Sequence, residues 1–75
     1  MNIKTKYDIG DEVYCLHNGD IRKEPIIEIQ IIITETDIDI FYILDNIDYT
    51  FAQNRIFDTT KRLYKAIEKA VKLLG

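Results

Sequence analysis

The chain has no serine and no tryptophan, and among its 75 residues only one cysteine, one histidine, one proline and three glycines. Each shortage excludes something. Without serine there is no serine-type hydroxyl nucleophile for acyl transfer. Cys15, alone, cannot close an internal disulfide, and Cys15 with His17 falls short of the ligand set of a structural zinc site. No stretch approaches the roughly 20 apolar residues of a membrane-spanning helix. The opening, MNIKTKYD, lacks the apolar run of a signal peptide. A lone thiol without an export signal points to a reducing, cytoplasmic setting with no membrane partner.

What the chain does have is isoleucine, at 15 positions, and charge of both signs placed unevenly. A domain of this length buries roughly 60% of its unfolded surface, so without disulfides or metal it needs a dense apolar core or self-association. β-branched residues suit pleated, half-buried surfaces, which favours strands. Residues 1–58 carry 5 basic and 12 acidic side chains, while residues 59–75 carry Lys61, Arg62, Lys65, Lys69 and Lys72 against Glu68 alone. An acidic body of −7 is therefore joined to a basic end of +4, an asymmetry that bears on partners. The wealth of Ile, Lys, Asn, Asp and Tyr suggests an AT-rich gene, as in a bacterium or one of its viruses.

Periodicity assigns the elements. Gly10-Asp11 signals a turn, EVYCL (Glu12 to Leu16) a short strand, and Asn18-Gly19 a tight hairpin turn whose two central residues need positive φ. The return strand starts at Ile21. Pro25 cannot donate to a ladder, which predicts a bend or bulge near residues 23–25. Beyond it Ile27, Ile29, Ile31 and Ile33 share one face of an extended chain. Thr34 to Asp37 is a polar turn. In IDIFYIL (Ile38 to Leu44), Ile38, Ile40, Tyr42 and Leu44 face one way. DNID turns the chain, YTFAQ (Tyr49 to Gln53) is a short strand, and Asn54 to Phe57 reads as one helical turn. Asp58, Thr59 and Thr60 suit a helix N-cap, and Leu63, Ile67, Ala70, Val71 and Leu74 recur at the helical period.

The expected fold is mainly β (α+β) and a single domain. Residues 1–57 form a small antiparallel SH3-like barrel or curled sheet of four to five strands, and residues 58–75 one C-terminal amphipathic helix. Closure would remove the exposed edges that isoleucine-rich strands otherwise present. Two stretches carry a resemblance. YDIGDEVYCLHNGDI resembles the first hairpin of small SH3-like barrel proteins, with the form Y-x-x-G-D-x-V-Y and an Asn-Gly turn. NRIFDTTKRLYKAI resembles the ending N-x-L-F-x-T-K-E-E-L of small, uncharacterised proteins of bacterial viruses and prophages, but with Thr60, Lys61 and Arg62 in place of its more neutral residues. The resemblance implies a fold and a phage-like genomic neighbourhood. It carries over no activity and no site residues.

Candidate chemistry is sparse. A Cys15–His17 pair shares a strand face, yet a thiol nucleophile needs a base oriented by a third group in a pocket, and Cys15 sits in an apolar run where free cysteine acts as a small hydrophobe. Asp37, Asp39, Asp45 and Asp48 could converge at one end of a hairpin and offer oxygen ligands to Mg²⁺ or Ca²⁺; a solvated, charge-protected edge explains them as well. Tyr7, Tyr14, Tyr42, Tyr49 and Phe51 could form an aromatic cage for a cation, or pack the core and rim. Lys61, Lys65, Lys69 and Lys72, with Arg62 beside them, form a stripe of the kind phosphates favour, but a pI near 5.0 runs against the usual basic footprint of nucleic-acid binders.

These residues predict a non-enzymatic protein-binding module without a cofactor or metal. Its expected setting is a phage or prophage, where it docks on a host or viral protein. One concrete version is inhibition of a basic, nucleic-acid-binding or defence protein. The candidate interaction surface comprises Lys61, Arg62, Lys65, Lys69, Lys72, Asp37, Asp39, Asp45 and Asp48. The alternative is a nucleic-acid-binding barrel that uses the basic helix. The chain is expected as a monomer, or as a homodimer if a strand edge is left open.

Overall fold

Asn18 and Gly19 take φ values of 52° and 82°, the left-handed pair that closes a two-residue hairpin with the twist of its flanking strands. They join β1 (Glu12–His17) to β2 (Asp20–Ile33) in a computed structural model that describes residues 3–74. The strand read at EVYCL is present, and it alternates: Val13 and Cys15 are buried, while Glu12 and Leu16 are exposed. The preceding turn is closed by Asp11, whose carboxylate accepts the Asp8 N–H at 2.9 Å, and by Gly10 at φ 95°.

β2 runs unbroken for 14 residues and serves two neighbours in turn. Asp20 to Pro25 pair with β1, and Ile26 to Ile33 pair with β3 (Ile38–Leu44). The irregularity expected at residues 23–25 lies further on, as a bulge between Ile26 and Glu28. The Pro25 carbonyl accepts the Asp45 N–H at 3.0 Å, so its imide nitrogen also faces the β3 side, where that ladder is only beginning. Pairing with β1 therefore passes through the proline undisturbed, opposite Glu12. The extra residue at the bulge then bends the strand into β3.

The chain continues into β4 (Thr50–Ala52), a single 3₁₀ turn at Gln53–Arg55, and β5 (Ile56–Phe57). The helical turn expected over residues 54–57 is thus displaced by one residue, and Ile56 and Phe57 are strand. The cause is tertiary, since Ile56 and Phe57 pair with Cys15 and Tyr14 of β1. The five strands form one antiparallel sheet in the order β4-β3-β2-β1-β5, curled into a half-barrel. Its concave face buries Tyr7, Val13, Cys15, Ile26, Tyr42, Leu44, Ile47, Phe51 and Ile56.

Helix α1 (Thr60–Leu74) begins where the Thr59 hydroxyl accepts the Arg62 N–H at 3.3 Å, an N-cap three residues from its donor. It packs on β1 and β5. Leu63 is 2% exposed, Ala66 and Ile67 are half-buried, and by Val71 the stripe is 61% exposed. The first half of the helix anchors to the barrel and the second projects from it. No helix among the described residues is long and apolar enough to cross a membrane.

Candidate interaction surfaces

β2 and β3 outlast their other neighbours. β1 leaves β2 at Pro25, and β4 leaves β3 at Phe41. The two strands continue together as a free hairpin arm over residues 27–40, closed by Thr34 to Asp37. There the Thr34 N–H donates to the Asp37 carbonyl at 2.8 Å, and the Thr34 hydroxyl accepts the Asp37 N–H at 3.0 Å. Ile31, Ile33 and Ile38 continue the core-facing row of Ile29 and Tyr42, yet they are 41, 55 and 45% exposed because no layer lies over them. On the reverse face Ile32, opposite Asp39, is 48% exposed. The arm carries Glu28, Glu35, Asp37 and Asp39 and no basic residue. Contiguous exposed apolar surface of this kind marks interaction sites.

The four candidate aspartates do not converge. Asp37 and Asp39 lie at the tip end of β3, whereas Asp45 and Asp48 lie in the turn beyond Leu44. Eight residues of extended chain, about 26 Å, separate Asp37 from Asp45. Strand length is the reason: β3 runs its full seven residues between the two turns. Only the tip pair joins the arm's surface.

Tyr7, Tyr42 and Phe51 pack in the core, whereas Tyr49 is exposed and Tyr14 lies on the other face of the sheet, so the five rings build no common cage. Tyr7 and Tyr42 meet edge to face at 5.7 Å in the core. The Tyr42 hydroxyl donates to Gln53 Oε1 at 2.6 Å, and the same oxygen accepts the Lys6 N–H at 3.2 Å. Tyr49, Phe51 and His17 cluster at the end of β1, with Tyr49 and Phe51 4.8 Å apart. Tyr14 stands on the convex face beneath Lys23.

Cys15 is fully buried, and burial raises its thiol above the ordinary value of 9.0, with Arg22 opposing and Glu24 reinforcing the shift. His17 shares its strand face but packs against Tyr49 and Phe51. A buried thiol held protonated is no nucleophile.

Lys61, Arg62, Lys65, Lys69 and Lys72 are all exposed on α1. Arg62 pairs with Asp58 at 3.6 Å and Lys72 with Glu68 at 3.9 Å, one helical turn apart in each case, so part of the stripe is balanced locally. The apolar side of the helix lines a groove with Leu16 and Phe57, where Ile67 is half-buried and Ala70 and Val71 are exposed.

The sequence showed the alternating isoleucines but not that they would outrun the sheet. The length mismatch between the β2–β3 pair and the short β1, β4 and β5 was the available signal. No family model matches the chain, and no curated protein or solved structure is significantly similar to it.

Proposed function

We propose that this protein is a non-enzymatic docking module that binds a basic protein partner through the acidic β2–β3 arm. The carrying observation is the arm itself, where exposed Ile31, Ile32, Ile33 and Ile38 stand among four carboxylates and residues 27–40 include no basic side chain. Isolated exposed apolar residues are ordinary, but a contiguous row projecting from a folded body is not. Apolar area supplies affinity, and the carboxylates select a partner of opposite sign and speed encounter. The resemblance of the two motifs supports a phage or prophage setting, and the acidic surface supports a basic nucleic-acid-binding or defence protein as the partner.

The experiment is affinity capture from nuclease-treated bacterial lysate, comparing the native chain with Glu35→Lys/Asp37→Lys. The expected result is a basic protein retained by the native chain and lost from the variant, with retention weakening as salt rises. A partner captured equally by both would remove the arm from the site.

The second reading rests on the exposed row Lys61, Lys65, Lys69 and Lys72 on α1, which suits phosphates. If it holds, capture vanishes with nuclease, and Lys65→Glu/Lys69→Glu weakens nucleic-acid binding uniformly over sequences and flattens its salt dependence.

A further inference from the structure

The hydrogen-bond phase of the arm shows which backbone groups are left over. Thr34 donates to Asp37 across the hairpin, and the register then runs Ile33↔Ile38, Ile32↔Asp39, Ile31↔Ile40, Gln30↔Phe41 and Ile29↔Tyr42. In an antiparallel pair, bonded and non-bonded positions alternate. Glu28, Gln30 and Ile32 therefore turn their N–H and C=O to β3, while Ile29, Ile31 and Ile33 turn theirs away. At Ile26, the other side of the bulge, the outward groups are used: its N–H donates to the Asp11 carbonyl and its C=O accepts from Gly10. Beyond Ile26 no strand among the described residues pairs with this edge.

Native sheets guard such edges with proline, inward charges or bulges. Here the bulge and Glu28 guard only the base. From Gln30 to Ile33 the edge has neither proline nor charge. We infer that this edge of β2 receives an extended segment of the partner as a sixth strand, and that the segment alternates apolar and basic residues. The inference rests on the docking reading and names its mode.

The alternation follows from the two faces. Residues opposite Ile29, Ile31 and Ile33 lie on the core-facing side, beside exposed Ile31, Ile33 and Ile38, and are apolar. Residues between them lie on the reverse side. There they meet Glu28, whose carboxylate already accepts from Gln30 Nε2 at 2.8 Å, and reach Asp39 past Ile32. Lysine or arginine suits those positions, because opposite charges across strands stabilise and like charges oppose. About six residues span this edge. Main-chain bonds then supply affinity and the alternate side chains supply specificity. A second copy of this chain is the poorer occupant, since its arm brings another four carboxylates and no cation.

The test uses three synthetic peptides with the full-length protein: one alternating Lys and Val, one with the same composition in two blocks, and the alternating one N-methylated at every second amide. Amide hydrogen exchange of the protein is read by NMR. The alternating peptide is expected to slow exchange at Ile29, Ile31 and Ile33 at least about tenfold, and to leave Gln30 and Ile32, already in the ladder, unchanged. The block and N-methylated peptides are expected to bind at least about tenfold more weakly, the signature of main-chain pairing. Ile31→Pro, which removes one outward N–H from an edge position that tolerates proline, is expected to abolish the protection. Binding without protection at these amides, equal binding of the N-methylated peptide, or no binding at all overturns the inference. So does protection that appears in the protein alone as its concentration rises, which assigns the edge to a second copy. Capture of a partner sensitive to Glu35→Lys/Asp37→Lys, together with any of these failures, leaves the docking reading standing and removes only the added strand.

Discussion

Tyr42 shows what one side chain does for this fold. Its ring is fully buried, and its hydroxyl donates to Gln53 while accepting the Tyr7 N–H at 3.4 Å. The hydroxyl thereby ties the segment before β1 to the turn after β4, two stretches nearly fifty residues apart. Tyr42→Phe keeps the ring and leaves the buried Tyr7 N–H without its acceptor, while Gln53 keeps the Lys6 N–H, so it is expected to cost about 1–3 kcal/mol in denaturant unfolding. Cys15 makes a second case. Its thiol is buried and its pKa raised, so the neutral form is favoured in the folded state. A raised acid of this kind leaves stability unaffected below the unfolded value near 9.0. Above it the unfolded chain releases the proton first, and stability falls until the pH passes the folded value. Native Cys15 is accordingly expected to resist alkylation at pH 8 and to react at the rate of unfolding. Fast labelling of the native protein would contradict the burial.

Helix α1 divides energetically into two halves. Leu63 is 2% exposed where the helix meets the sheet, whereas Val71, two turns on, is 61% exposed. Leu63→Ala is expected to destabilise by about 2–5 kcal/mol, a large share of what a domain of this size has to lose. Val71→Ala is expected to fall within about 0.5 kcal/mol of the native chain. Comparable losses at both sites, measured by thermal melting, would mean that the whole helix packs on the sheet. The Thr59 cap holds the anchored end, and Thr59→Ala is expected to cost about 1 kcal/mol. The arm is the counterpart among the strands. Its β2–β3 ladder is continuous, but its isoleucines lack a covering layer.

For the molecule as a whole the separation of charge is the governing feature. The sheet domain and its arm are acidic and the helix is basic, so partners of opposite sign meet different ends. Between exposed charges, screening acts over about 10 Å at 0.1 M salt. Arm docking on a basic protein is expected to weaken steeply between low and moderate salt, mainly through slower association. Glu35→Lys/Asp37→Lys is expected to leave the melting temperature almost unchanged, because both residues are exposed, while association slows. A large drop in melting temperature would show instead that these carboxylates hold the hairpin turn.

Much of this was legible in the chain. Asn18-Gly19 announced the first hairpin because few residues accept two consecutive positive φ angles. An apolar run between two turn signals marked β1, period-two alternation marked β3, and the 3.6-residue recurrence of Leu63, Ile67, Ala70 and Val71 marked the helix, because both periods are set by backbone geometry. Other features depended on partners distant in sequence. Ile56 and Phe57 became strand only by pairing with β1, and the bulge moved past Pro25 because its nitrogen faces a ladder that has barely started. Local pattern also placed Asp37 and Asp45 in the turns that flank the Ile38–Leu44 strand, so their separation was already readable from the chain. It identified Ile31 and Ile33 as one face of a strand in the same way as Tyr42 and Leu44. Only the tertiary structure decided that the latter pair is covered and the former is not. Burial depends on which layer lies opposite, and that layer comes from elsewhere in the chain.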